Sequence, residues 1–185
     1  MSDQRRRKTL IYLTGFMGSG KSTIGPILAN TLGYGFSDVD RIIEARAGKS
    51  VNRIFREDGE KAFRAVERQV IAELSALDHH VISLGGGTVV DETNFATVRN
   101  TGILIYLYST PEHLLARLQH KSDRPVLASS EGERLSADQL REKVMNLFAA
   151  REPLYSQANL IIHTDEQRVG ITVDEIVRRL HAMKR

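Results

Sequence analysis

Gly15-Phe16-Met17-Gly18-Ser19-Gly20-Lys21-Ser22 matches the pattern G-x-x-x-x-G-K-[ST]. At that spacing the glycines let consecutive backbone N–H groups curl around phosphate oxygens. Gly18, Ser19, Gly20, Lys21 and Ser22, with the adjoining Thr23, are the candidate residues for binding a nucleotide's phosphates. Lys21 is expected to reach the β- and γ-phosphates, and the Ser22 hydroxyl to ligate Mg²⁺. A helix opening near Lys21 would aim its positive end at the same phosphates. The plainer alternative is a glycine-rich structural turn. The position between an apolar strand and a helical segment argues for a nucleotide loop instead.

A phosphate loop does not by itself separate kinases from GTPases, motors or nucleotide-gated modules, so other residues must decide. No guanine-specifying N-K-x-D segment occurs, which weighs against a GTPase. Asp38 and Asp40 flank Val39 at the carboxyl end of an expected strand, the edge where ligands of parallel α/β sheets bind. One carboxylate there can hold a magnesium shell while the other accepts a proton from an attacking hydroxyl. Alternatively, Asp40 caps the next helix and Asp38 forms a surface pair. Gly85-Gly86-Gly87 ends another strand, as close ligand approach or a flexible turn would require. Arg64 has Glu60 four residues before it and Glu67 three after, so all three can share one helix face. Arg64, Arg124 and Arg151 each suit carboxylate or phosphate recognition, or simply lie at the surface.

These residues need a scaffold that brings strand ends together. Leu10–Leu13 reads as a buried strand and 21–32 as a helix with apolar Ile24, Ile27, Leu28 and Leu32. A short strand ending near Asp38 precedes helical segments at about 39–47, 51–56 and 60–77. Strands are expected at 80–84, 103–108 and 160–162, with helices opening at Pro111, spanning about 136–155, and closing the chain at 172–183. A polar loop covers about 121–135. Strands alternating with helices imply an α/β fold with a parallel sheet covered on both faces.

Composition narrows the class. The chain has 185 residues, the size of one compact domain, and 41% are hydrophobic, enough for a core. It contains no cysteine, which excludes disulfides, thiolate metal sites and cysteine nucleophiles. The six histidines show no metal-ligand spacing and the four methionines are scattered. The net charge is +3, and the basic run Arg5-Arg6-Arg7-Lys8 reads as a solvated tail, so neither nucleic acid nor a membrane is an expected partner. No stretch has the length of a membrane span or a signal segment, and a cytoplasmic location is expected.

The segments G-F-M-G-S-G-K-S-T-I-G at 15–25, D-V-D at 38–40, F-R-E-D-G-E-K-A-F-R-A-V-E at 55–67, G-G-G at 85–87, R-P-V-L at 124–127 and R-E-P-L-Y at 151–155 together resemble the shikimate kinase family. The resemblance runs in order along nearly the whole chain. It implies a nucleoside-monophosphate-kinase-like fold: three layers, α/β/α, around a five-stranded parallel sheet. The single domain would carry a substrate-binding segment at about 39–67 and a mobile lid at about 119–135. It also implies ATP-dependent phosphorylation of the 3-hydroxyl of shikimate, with Mg²⁺ as cofactor. By this resemblance Asp40 is the catalytic base and touches the ring hydroxyls, and Asp38 supports Mg²⁺ with Ser22. Arg64 and Arg151 clamp the substrate carboxylate, with Glu67 orienting Arg64. Gly85, Gly86 and Gly87 approach the substrate with their backbone, and Phe55 and Phe63 wall the pocket. Arg117 stacks on adenine, and Arg124 closes over the transferring phosphate. The segment Asp165-Glu166-Gln167-Arg168 lacks the proline some members carry there, so adenine contacts are not assigned to it. A monomer is expected. The alternatives are another small-molecule P-loop kinase, such as gluconate kinase, or a non-catalytic ATP-binding module.

Overall fold

The structure, a computed structural model, describes residues 9–118, 136–165 and 167–183. Five parallel strands form one sheet: β1 (Leu10–Thr14), β2 (Gly35–Asp38), β3 (His80–Ser83), β4 (Gly102–Tyr108) and β5 (Leu160–His163). Their spatial order is β2-β3-β1-β4-β5. Leu13 stands beside Ser83 on one side and Ile105 on the other, and Asp38 stands beside Ser83. The carboxyl ends of β1, β2 and β3 are therefore level. The chain leaves β1 toward one edge of the sheet and leaves β3 toward the other, so a crevice opens above β1.

Both faces of the sheet are covered, and that is why β1 reads as an unbroken apolar run rather than an alternating one. All five of its residues are buried. Side chains still alternate between faces. Ile11, Leu13, Ile105 and Leu107 pack with Ile24 and Leu28 of α1 (Lys21–Leu32) and with Val173 and Ile176 of α8 (Val169–Met183). Tyr12, Leu104 and Tyr106 face the larger core. That core is built with α2 (Val39–Ala47), α3 (Val51–Glu57), α4 (Gly59–Leu74), α5 (Glu92–Thr101), α6 (Pro111–Leu118) and α7 (Ala137–Tyr155).

Several helix limits are set by local chemistry. Gly33 ends α1 in the left-handed conformation, and its N–H bonds to carbonyls of the last turn. Ser136 and Gln139 form a reciprocal capping box at the start of α7. The whole of α5 lies outside the sequence expectation, as does the short 3-10 turn at Thr88–Val90. Only Asn94 and Val98 of α5 are buried, so its apolar stripe is too narrow to show as a helical period. Its start signal is nonetheless present, for Asp91 accepts the Asn94 N–H at 3.0 Å. The last helix begins at Val169 rather than 172, because Gly170 lies in the first turn, where its cost is tolerated. The long helix stops at Leu74 rather than 77.

Among the described residues no helix is long and apolar enough to cross a membrane. The basic run at 5–8 and the segment at about 119–135 lie outside the described residues. Leu104 is fully buried in the strand beside β1, so Leu104→Ala is expected to lower the free energy of unfolding by about 2–5 kcal/mol in urea titrations. A loss below roughly 1 kcal/mol would show that this strand is not central to the core.

Candidate active site

The phosphate loop follows β1 and is pinned from below. Gly15 has φ +142°, and a Cβ there would stand 2.6 Å from the Leu107 carbonyl oxygen and 2.8 Å from Ser19 Oγ. No side chain fits, so the loop can lie directly against β4. Phe16 and Met17 point into the core, and the Phe16 ring lies 6.0 Å from that of Phe148. Lys21 Nζ donates to the carbonyls of Gly15 at 2.6 Å and Phe16 at 3.1 Å, which keeps the ammonium over the loop. Gly20 opens α1 with no side-chain cap, so the helix end is left to the loop and the cleft.

The cleft above the loop has a volume of about 390 Å³. Gly18 through Thr23 form its floor, Asp38, Asp40 and Gly86 one wall, and Arg117, Thr164 and Gln167 another. Asp38 is the cap of α2 and accepts the Arg41 N–H at 3.2 Å, while Asp40 sits in the first turn. The simple capping alternative is thus corrected: Asp38, not Asp40, caps the helix. Both carboxylates still line the cleft.

Each glycine of the 85–87 run lies against a different functional side chain. A Cβ on Gly85 would stand 2.9 Å from Asp40 Oδ1, and one on Gly87 would stand 2.5 Å from Arg64 Nη2. A Cβ on Gly86 would meet Arg151 Nη1 at 3.6 Å and the Tyr155 hydroxyl at 3.7 Å. Asp40, Arg64 and Arg151, far apart in sequence, are thereby gathered around one glycine turn. Arg64 donates to Glu67 Oε2 at 2.7 Å and to Glu60 Oε1 at 3.2 Å, so the three residues do share a face. Burial alone would lower the Arg64 pKa, but Glu67 and Glu60 outweigh it and hold the guanidinium charged. The Arg64 guanidinium also lies over the Phe63 ring, 5.3 Å from its centre, and Phe63 packs against Phe55 with ring centres 4.6 Å apart.

Two contributors carried no role in the sequence reading. The Tyr155 hydroxyl donates to the Gly86 carbonyl, and burial pushes its pKa up to about 12, so it remains a donor at neutral pH. It belongs to the R-E-P-L-Y segment, one helical turn after Arg151. The second is Asp165, which binds the Ser109 hydroxyl and accepts the Thr110 N–H at 2.7 Å. Burial opposes its ionisation, yet the bonds from Ser109 and Thr110 and the nearby His113 hold its pKa below the usual carboxylate range. Asp165 anchors the loop after β5 to the start of α6. From α6, Arg117 donates to the carbonyls of Gly18 at 3.0 Å and Thr164 at 3.3 Å. Nothing in the local sequence marks the pairing of Asp165 with Thr110, since the two are 55 residues apart.

Arg124 lies outside the described residues. Among the described residues no three or more His, Asp or Glu side chains gather as a cage for a metal ion. The Ser22 hydroxyl and the Asp38 carboxylate share the cleft, however, and both are hard oxygen donors. Such a pair fits Mg²⁺, which binds through one or two protein groups and otherwise keeps phosphate oxygens and waters.

A family model described as shikimate kinase matches residues 17–181. A shikimate kinase of Chlorobaculum parvum is 50% identical over 175 residues, covering 95% of this chain and 94% of the relative. One of Chlorobaculum tepidum is 47% identical, with 95% and 92% covered. Among solved structures, a shikimate kinase from Acinetobacter baumannii in complex with shikimate superposes with a TM-score of 0.86. That protein is 32% identical, with 95% of this chain and 94% of that one covered.

Because the Asp165 pKa is depressed in the folded protein, its contribution to stability is full above the unfolded value near pH 4 and is lost as pH falls through the folded value. Asp165→Asn is expected to cost about 1–2 kcal/mol at pH 7. The gap between variant and parent should close on acidification below about pH 4. Chemical denaturation at several pH values measures it, and a gap unchanged down to pH 2 would contradict this assignment.

Proposed function

The chain belongs to the shikimate kinase family, and from that membership we propose that the cleft transfers the γ-phosphate of ATP to the 3-hydroxyl of shikimate. The observation that carries this reading is the gathering of Asp40, Arg64 and Arg151 around Gly85–Gly87, next to the phosphate loop. A carboxylate positioned to accept a proton beside two guanidinium groups suits an acceptor bearing both hydroxyls and an acid group.

In the proposed reaction Gly18–Thr23 wrap the phosphates and Lys21 neutralises charge on the β- and γ-oxygens. Asp40 takes the proton of the 3-hydroxyl as that oxygen bonds to the γ-phosphorus. The bond from phosphorus to the β–γ bridging oxygen breaks, leaving shikimate 3-phosphate and ADP. Arg64 and Arg151 hold the substrate carboxylate, and the backbone of Gly85, Gly86 and Gly87 lines its approach. This fixes the hydroxyl in line with the phosphorus, and positioning supplies much of the rate in phosphoryl transfer. Mg²⁺, held by Ser22 and Asp38 with the phosphates, would supply further charge neutralisation. Arg117 is the proposed adenine contact, supported by its place on the cleft wall. Arg124, from the segment proposed as the lid, would reach the transferring phosphate. The proposed unit is one kinase domain acting as a monomer in the cytoplasm.

The direct test is ADP release by the purified chain with MgATP and shikimate, beside reactions lacking acceptor or containing gluconate. Release that depends on shikimate supports the assignment. Turnover of gluconate alone, or ATP binding without transfer to any acceptor, would overturn it.

Asp40→Asn keeps size but removes the base, and kcat is expected to fall by about 10² or more. For Arg64→Ala and Arg151→Ala, KM for shikimate should rise while KM for ATP stays nearly constant. Equal loss of both substrates in a folded variant would contradict the carboxylate-clamp role.

A further inference from the structure

Glu67 is fully buried, and its carboxylate has more donors than Arg64 alone supplies. Thr88 Oγ1 donates to Oε1 at 2.7 Å, and Asn94 Nδ2 reaches Oε2 at 3.4 Å, the oxygen that also receives Arg64 Nη1 at 2.7 Å. Thr88 and Asn94 are themselves buried, at 0% and 1% exposure. The single contact to Arg64, through Oε2, would by itself leave the carboxylate free to turn about its last torsion. Donors on both oxygens remove that freedom, and a carboxylate held in one plane fixes the plane of the guanidinium it binds.

Thr88 also closes the glycine turn, since its N–H donates to the Gly85 carbonyl at 3.1 Å. A Cβ on Gly85 would stand 3.2 Å from Thr88 Oγ1 and 3.5 Å from Glu67 Oε1, as well as beside Asp40. The same hydroxyl thus stands between the turn that faces Asp40 and the carboxylate that holds Arg64. Asn94 brings in α5, which a second bond secures to α4, from Arg68 to Asp91 at 2.8 Å.

We propose that Thr88 and Asn94 are positioning residues that lock the Glu67 carboxylate and so aim the Arg64 guanidinium at the acid group of the substrate. This rests on the role given to Arg64 above. Both residues are buried, so their effect would pass through Arg64.

Thr88→Val removes the hydroxyl with little change of shape, and Thr88→Ser restores it. In steady-state assays of the full chain, T88V is expected to raise KM for shikimate by about ten-fold, the scale on which outer contacts affect the groups they orient. KM for ATP should change by less than about two-fold, and T88S should recover most of the loss. In an Arg64→Ala background T88V should add almost nothing to KM for shikimate, because the group it orients is gone. If T88V does not fold, Asn94→Ala serves instead, with a rise of about two- to five-fold in the same constant and the same lack of effect in the R64A background. Parallel rises in both KM values, no recovery in T88S, or a full additional effect in R64A would each overturn the proposal. Should R64A itself leave KM for shikimate unchanged, the role of Arg64 fails first. A normal R64A effect with an inert T88V leaves that role standing and removes only the positioning one.

Discussion

The loops leaving β1 and β3 compete for one space, because the strands are parallel neighbours and Leu13 stands level with Ser83. Both loops must turn above the sheet at the same height, and glycines let their backbones approach closely there. Gly15 lies where the Leu107 carbonyl and Ser19 leave no room for a Cβ, and a Cβ on Gly86 would stand 3.8 Å from the Gly15 carbonyl. The backbone proposed to bind phosphate and the backbone proposed to approach the substrate therefore lie side by side. In the proposed reaction the short distance between donor and acceptor would come from the sheet register rather than from any one side chain.

Charge is distributed to match. Lys21 is held over its own loop by two carbonyls, and Arg117 is braced by two more, so both cations are ordered by the protein itself. Preorganised charge of this kind lowers the reorganisation that the reaction would otherwise demand. On the acceptor side, Arg64 is tied to a fully buried carboxylate and backed by the Phe63 ring. Burying Glu67 costs solvation, and the arrangement is tolerable because each of its oxygens has a donor.

Strong local signals carried most of the architecture. The apolar run of β1, the glycine loop and α1 follow one another in sequence, so periodicity and turn chemistry located them without knowledge of their neighbours. The weak element was α5, which buries little apolar surface and is secured instead by Asp91, Asn94 and the arginine of the adjacent helix. A helix held mainly by polar tertiary contacts leaves only a faint stripe for periodicity to read. For the same reason no local signal marks Thr88 or Asn94. Their functional meaning lies in a carboxylate on another helix, at separations of 21 and 27 residues.

The phosphate loop is legible in the sequence alone, because that segment is contiguous and its geometry follows from local glycine and helix-start rules. The sequence also offered the acidic and basic candidates by type and spacing, and the resemblance implied their roles residue by residue. Only the tertiary structure decided that Asp38 rather than Asp40 caps α2 and that Gly85, Gly86 and Gly87 each abut a different one of the distant side chains. It alone joined Asp165 to the start of α6 across 55 residues. Such pairings depend on which strands lie side by side and in what register, and that is set by packing of the whole sheet between its two helical layers rather than by any segment alone.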